Sequence, residues 1–312
     1  MDIVLLMPGQ GSQKVGMGRD LADAFPEALA AFATVDEAIG APLSELMFAG
    51  PADELTRTSN AQPALLAHSA ALWSVVKNAL GSRVRAAAGH SLGEFSAYHA
   101  VGALSLADAA RVVRTRGLLM LEQGALRPGT MAAVIGLLTR TIDDICKQAS
   151  AESALVVPAN FNTAEQVVIS GEVAGVERAM QLAREAGAKR CLLLPVSGAF
   201  HSPLMAPAAK GLSDALDAAR MSDNSIPVFA NVDATVVRDA ETARRLLVEQ
   251  LTAPVKWTLV MQRLAEAYPD ALFVELGTGS VLCGLAKRVA PNVNTVACGT
   301  VAEVEALLKQ AA

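Results

Sequence analysis

The sequence predicts an α/β protein in which a large unit built on a parallel sheet is interrupted by a smaller one. Three observations lead there. Hydrophobic residues fill 52% of the 312 positions but aromatics only 4%, so the core must come from Ala, Val and Leu packed between helices and strands. Up to about Leu126 the apolar pattern alternates strand, helix, strand, helix, the order that builds parallel sheets. After Arg127-Pro128-Gly129 the rhythm becomes a compact βαββαβ unit, and from about Ser197 the first rhythm resumes. The expected division is 1–126 with 197–312 for the large subdomain and 127–196 for the small one.

Asp2 to Met7 is a short apolar run ending in Pro-Gly, the mark of a buried strand running into a loop. No basic segment precedes it and Pro8 breaks it, so it is expected as a first strand and not a signal peptide. Ala61 to Leu80 has helical apolar spacing, Val84 to Ala88 is a second strand, and Gly93 to Ala100 and Leu106 to Leu121 are helices. In the middle segment Met131 to Ile135 is a strand, Thr141 to Ser150 a helix, and Leu155 to Asn160 with Gln166 to Ser170 a strand pair. Val173 to Ala186 is then a helix and Arg190 to Pro195 a strand. That order is the ferredoxin-like arrangement. Beyond it come helices near Leu204 to Ala219, Ala240 to Leu251 and Trp257 to Ala267, a strand at Ala271 to Leu276, and a terminal helix from Val301.

The net charge of -5 argues against a nucleic-acid partner, which needs a basic surface to displace phosphate counterions. Cys146, Cys191, Cys283 and Cys298 are scattered, without a C-x-x-C pair or a histidine at metal-ligand spacing, and are expected as reduced, mostly buried thiols. No uninterrupted apolar stretch reaches the roughly 20 residues of a membrane helix, so a cytoplasmic protein without a membrane partner is expected.

Gly89-His90-Ser91-Leu92-Gly93 is a G-x-S-x-G sequence between a predicted strand and a predicted helix. A nucleophile elbow needs small residues on both sides because the turn is tight, and it leaves the serine hydroxyl exposed above the sheet. A serine that only caps the helix would also fit the bare pattern. The strand and helix on either side favour the elbow and make the large subdomain α/β-hydrolase-like. A serine hydroxyl needs a neighbouring base. His68 lies in an apolar helix, His99 lies in the helix after the elbow, and His90 should point away from Ser91 across the strand. His201 remains, in a loop after the inserted unit, with serine before histidine in chain order as in α/β hydrolases. No acid between them stands out as a third member. Pro8-Gly9-Gln10-Gly11-Ser12-Gln13 follows the first strand. It fails the dinucleotide fingerprint at Lys14 and lacks the Gly-Lys-Ser/Thr of a P-loop, but such a turn can present N–H groups to an oxyanion.

PGQGSQ, GHSLGE, Thr115-Arg116-Gly117, Asn160-Phe161-Asn162, GAFHSPLM and Gln250-Leu251 with Pro254-Val255-Lys256-Trp257 together resemble the malonyl-CoA:acyl carrier protein transacylases. Polyketide synthase acyltransferase domains look similar too, and a lone chain of this length points to the free-standing form. The resemblance implies Ser91 as nucleophile, His201 as base, and backbone N–H groups of Gln10 and Leu92 as the oxyanion site. It further implies that Arg116 pairs with the malonyl carboxylate and that the main-chain carbonyl near Gln250 orients His201 in place of an acid. Asn160, Asn162 and Asn231 would line the cleft, and Phe200 would stand against the acyl α-carbon. A guanidinium suits that task on chemical grounds as well, since it grips a carboxylate with two parallel donors.

The reaction so implied is ping-pong. Malonyl passes from malonyl-CoA to Ser91 and then to the phosphopantetheine thiol of acyl carrier protein, for fatty-acid or polyketide synthesis, with no cofactor or metal. A monomer is expected. Lys189 with Arg190 and Lys287 with Arg288 are candidates for a basic rim facing the acidic carrier. A serine hydrolase would use the same elbow but predicts a third-member acid. A noncatalytic carrier-binding module is disfavoured by the joint presence of Ser91, His201, Arg116 and Gln10.

Overall fold

The computed structural model describes residues 1–196 and 198–311. The predicted domain boundary at residue 197 and the terminal residue 312 lie outside the described residues.

The chain starts with β1 (Ile3–Met7), then five helices, α1 (Arg19–Ala24), α2 (Pro26–Ile39), α3 (Leu43–Ala49), α4 (Ala52–Thr56) and α5 (Thr58–Leu80). β2 (Val84–Gly89), α6 (Gly93–Ala100) and α7 (Leu106–Leu126) follow. The middle segment is β3 (Gly129–Ile135), α8 (Thr139–Glu152), β4 (Val156–Thr163), β5 (Gln166–Glu172), α9 (Val173–Glu185) and β6 (Arg190–Leu193). The last part contains α10 (Ala208–Ala218), β7 (Val228–Phe229), β8 (Val236–Val237), α11 (Ala240–Glu249) and α12 (Trp257–Ala267). It closes with β9 (Leu272–Leu276), α13 (Val281–Val289), β10 (Asn294–Cys298) and α14 (Val301–Ala311).

Two sheets result. The larger has the order β10-β9-β1-β2-β7-β8 and is parallel except for the short β7–β8 pair. β1 is buried along its whole length, because a central parallel strand is covered on both faces and must be apolar throughout. Its residues alternate between two cores. Ile3, Leu5 and Met7 join Phe32 of α2 and Leu65 and Leu72 of α5, whereas Val4 and Leu6 join Trp257, Val260 and Leu264 of α12 and Leu282 of α13. Each such side chain contributes about 1.5–3 kcal/mol when fully buried.

The smaller sheet is antiparallel, with the order β4-β5-β3-β6. One face, including Ala132 and Val134, packs on Ile142 and Ile145 of α8 and Val176 and Ala179 of α9. The other face, including Met131, Ala133, Ala159 and Val168, turns toward the main core. This period-two split brings the small sheet over the carboxyl ends of β1 and β2.

The mixed α/β class and the parallel-rich sheet agree with the sequence. Four helices, α1 to α4, lie between the first strand and α5 where the sequence reading places none. Pro26, Gly40, Gly50 and Pro51 punctuate the run, and α1, α3 and α4, with 6, 7 and 5 residues, are too short to carry much signal of their own. The helix expected from Leu204 to Ala219 divides into a 3₁₀ turn at Pro203–Met205 and α10, because Pro207 has no N–H to continue the ladder. Three of the four cysteines are buried and Cys191 is half-buried, all unbridged. No helix among the described residues is long and apolar enough to cross a membrane.

Candidate active site

The turn between β2 and α6 brings three backbones together. A Cβ on Gly89 would overlap the backbone of Gly93, one on Gly93 the carbonyl of Met7, and one on Gly9 the carbonyl of His90. Glycine is therefore required on both sides of Ser91 and in the loop after β1. Ser91 itself stands at φ 52, in the left-handed region, which costs a non-glycine residue about 1–3 kcal/mol and persists only where its surroundings hold it. They do. Asn231 Oδ1 accepts from the Ser91 N–H at 2.7 Å, Asn231 Nδ2 donates to Gly89 O at 2.7 Å, and Gln250 Nε2 donates to Ser91 O at 3.1 Å.

His201 lies 110 positions away in sequence, yet its Nε2 is 2.7 Å from Ser91 Oγ. Its Nδ1 is 2.8 Å from the main-chain oxygen of Gln250. A carbonyl only accepts, so Nδ1 carries the proton and Nε2 presents its lone pair to the Ser91 hydroxyl. Burial, and then the nearby Arg116 charge, push the His201 pKa down to about 3. The ring is therefore neutral at physiological pH, as a base must be.

Arg116, on α7, is only 1% exposed, so its guanidinium is buried in the site and not solvated at the helix surface. Nη1 donates to Gln62 Oε1 at 2.6 Å, and Nη2 donates to Gln250 Oε1 at 3.0 Å and to Ser91 Oγ at 3.2 Å. Nε is buried without a hydrogen-bond partner among the described residues. Burial lowers its pKa to about 10, leaving it cationic at neutral pH.

A cavity of about 170 Å³ opens over these groups. Gln10, Ser91, Leu92, Arg116, Phe200 and His201 line one side, and Met131, Asn160 and Leu194 of the small-sheet segment the other. Gln10 is steered by a 3.1 Å bond from its Nε2 to Thr58 Oγ1. Among the described residues, neither Gln10 N–H nor Leu92 N–H has an acceptor, so both are available to an oxygen in the cavity. An acyl carbon on Ser91 would thus meet a base, a cation and backbone donors at once.

Residues 4–308 match the family described as the acyl transferase domain. The chain is 44% identical over 295 residues to the malonyl CoA-acyl carrier protein transacylase of Bacillus subtilis, covering 95% of this chain and 92% of that protein. The chain belongs to the acyl transferase family. The malonyl CoA-acyl carrier protein transacylase of Salmonella typhimurium is 42% identical over 305 residues, 98% of each chain. The solved acyl-carrier-protein-S-malonyltransferase from Bartonella henselae shares 42% identity and a TM-score of 0.95, over 100% of this chain and 99% of that one. A solved malonyl-transacylase in complex with its type II PKS acyl-carrier protein shares 40% identity and a TM-score of 0.94, over 99% and 100%.

Within this acyl transferase the structure gathers most of the residues anticipated from sequence, though not all in one way. Ser91, His201, Arg116, Gln10, Leu92, Phe200 and Asn160 line the cavity. Asn162 instead holds His90, its Oδ1 lying 2.8 Å from His90 Nε2, and the His90 ring rests 5.4 Å from that of Trp257. Asn231 sits beneath the elbow and acts on its backbone. His68 is buried, its pKa pushed down to about 4 mainly by burial, and His99 Nδ1 bonds Leu104 O; neither lines the cavity.

Sequence reasoning missed Gln62, Glu94 and the side chain of Gln250. Gln62 sits in α5, an apolar helix that gives no hint of its bond to Arg116. Glu94 stands inside the GHSLGE motif, where a carboxylate in the first turn reads as ordinary N-terminal charge. It is 1% exposed, and burial raises its pKa to about 7 against hydrogen bonds from Gln250 and Asn231. Among the described residues no group of three or more His, Cys, Asp or Glu side chains could hold a metal. Of the expected rim residues, Lys189 pairs with Glu165 at 3.4 Å and Arg288 donates to Gln166 at 3.3 Å, both lining one shallow surface groove.

Proposed function

We propose that the chain transfers malonyl from malonyl-CoA to the phosphopantetheine thiol of acyl carrier protein through an ester on Ser91. One observation carries this. Arg116 Nη2 lies 3.2 Å from the same Ser91 oxygen that His201 Nε2 approaches at 2.7 Å. A buried guanidinium so close to the nucleophile fits an acyl group whose own tail is anionic.

His201 Nε2 takes the Ser91 proton as Oγ attacks the thioester carbon. The oxyanion is held by the N–H groups of Gln10 and Leu92 until the C–S bond breaks, and the CoA sulfur leaves with the proton returned by His201. The carrier thiol then gives its proton to His201 and attacks the ester, and Ser91 Oγ recovers the proton as the C–O bond breaks. The Gln250 carbonyl takes the place of a triad acid: it fixes the His201 tautomer and accepts the stronger hydrogen bond of the transient imidazolium. Asn160 and Phe200 bound the acyl pocket, with Phe200 against the α-carbon.

We read the chain as an α/β-hydrolase-like large subdomain, 1–126 and 197–312, with a ferredoxin-like small subdomain, 127–196. The antiparallel order β4-β5-β3-β6 supports the second half of that reading, and the strand-elbow-helix passage on a parallel sheet the first. Intact-mass measurement after incubation with a panel of acyl-CoAs tests the proposal. A malonyl adduct on the wild type, discharged by holo carrier protein, is expected; an enzyme that never carries an adduct, or that releases it only to water, refutes it.

A further inference from the structure

A buried carboxylate is a poor way to fill space, because its charge is costly away from water unless partners compensate it. Glu94 is such a group, and among the described residues its Oε1 has no hydrogen-bond partner at all. Its Oε2 has two. It accepts from Gln250 Nε2 at 2.7 Å and from the Asn231 N–H at 3.1 Å.

Each partner reaches the reacting groups. Gln250 Oε1 accepts from Arg116 Nη2, its Nε2 also donates to Ser91 O, and its main-chain oxygen accepts from His201 Nδ1. Asn231 Oδ1 accepts from the Ser91 N–H while its Nδ2 donates to Gly89 O. The Gln250 amide is wedged between a guanidinium and a carboxylate, which allows it one orientation. Turned over, its oxygen would face the carboxylate and its NH₂ the guanidinium. No direct ion pair joins Arg116 and Glu94 among the described residues, so the amide is the link between the two buried groups.

We propose that Glu94 is a positioning residue for the transfer reaction, acting through Gln250 and Asn231 to hold Ser91, His201 and Arg116 in one arrangement. The inference rests on the acyl-transfer reading above. Glu94 touches none of the reacting atoms; it holds the Gln250 side chain and the Asn231 main chain, and these two residues touch or orient all three.

The test is single-turnover acylation by malonyl-CoA and by acetyl-CoA, read by intact mass, on wild type, Glu94→Gln, Glu94→Met and Gln250→Ala, and on Glu94→Met with Gln250→Ala, with thermal unfolding of each. Methionine keeps the bulk and removes the acceptor, so Glu94→Met should fold yet acylate about a hundredfold more slowly with both donors, the scale expected for a misplaced reacting group. Glu94→Gln keeps an oxygen for the same two donors and should recover most of that loss, which a space-filling role would not produce. The double variant should be no slower than the slower single one, because the two side chains act as a unit. Wild-type acylation in a folded Glu94→Met, or single losses that multiply in the double variant, overturns the proposal. If methionine is not tolerated, Glu94→Asp carries the test by shortening the reach one methylene: a wild-type rate overturns it and a loss restored by Glu94→Gln supports it. A wild type that forms no adduct at all would sink the acyl-transfer reading instead, so the two failures are distinct.

Discussion

Replacing Arg116 by alanine removes a guanidinium whose Nη2 stands 3.2 Å from the Ser91 oxygen. Malonyl and acetyl thioesters share the reacting carbonyl and differ in a terminal carboxylate, so this cation decides between them on the reading above. In the alanine variant a malonyl carboxylate would enter the mostly apolar cavity without its partner, at a cost of about 2 to 5 kcal/mol. At 1.4 kcal/mol per decade that is roughly a 30- to 4000-fold loss of malonyl transfer. Acetyl-CoA loses no such contact. It also meets a stronger base, because the Arg116 charge is the second cause, after burial, of the low His201 pKa. Two effects oppose the gain. Gln62 Oε1 and Gln250 Oε1 each lose a donor, and an unsatisfied buried acceptor costs about 1–3 kcal/mol.

That cost falls on both substrates and cancels in their ratio. The quantity to measure is therefore the ratio of single-turnover acylation rates with malonyl-CoA and acetyl-CoA. Arg116→Ala should lower it by the factor above and reverse the preference. Arg116→Lys should restore part of it, since an ammonium supplies charge but not two parallel donors. Equal slowing of both substrates would refute the reasoning and leave Arg116 a structural residue.

Ser91→Ala should leave the fold intact and abolish the acyl-enzyme; a malonyl adduct that persists on this variant removes the central assignment. His201→Ala should slow acylation by about 10² to 10⁴-fold, the usual contribution of a positioned base, and near-normal single-turnover rates would place the base elsewhere. Phe200→Ser should raise acceptance of methylmalonyl-CoA relative to malonyl-CoA by an amount worth about 1 to 3 kcal/mol, the scale set by one methyl group; an unchanged ratio assigns the limit to another wall. Stability should depend on pH in two opposed ways. His68 and His201 are held below 6.5, at about 4 and about 3, chiefly by burial, so the stability they contribute is full above pH 6.5 and lost as pH falls toward those values. Glu94 is raised from 4.5 to about 7, so the folded state binds its proton first and gains stability as pH falls from 7 to 4.5. Urea unfolding of Glu94→Gln should therefore be more favourable to the variant at pH 8 than at pH 5, and parallel curves for variant and wild type would refute the burial argument.

The elements legible in the sequence were those with a strong local pattern. α6 and α12 begin and end where the apolar spacing places them, at Gly93–Ala100 and Trp257–Ala267. β7 and β8 have two residues each, too few to show any period. β10 is an edge strand whose residues are mostly half-buried, so it lacks the apolar run that revealed β1. α13 carries Gly284 at its centre, which lowers its helical propensity and hides it among loops.

The site divides along a similar physical line. G-x-S-x-G and P-G-Q-G are visible because close approach of three backbones leaves room for nothing but hydrogen at Gly9, Gly89 and Gly93, and a run of such glycines is rare enough to notice. His201 is reachable because histidines are few. Gln62 and Glu94 work through partners 54 and 156 positions away and sit in helical contexts that any glutamine or glutamate could occupy. Their importance exists only once α5, α6 and α7 are packed against one another and the turn after α11 is brought beneath the elbow. The residues that touch substrate are thus written locally, while those that hold them in place are written in the fold; it is the second group, with buried charge at its centre, that a change of pH or a single methylene at Glu94 should disturb first.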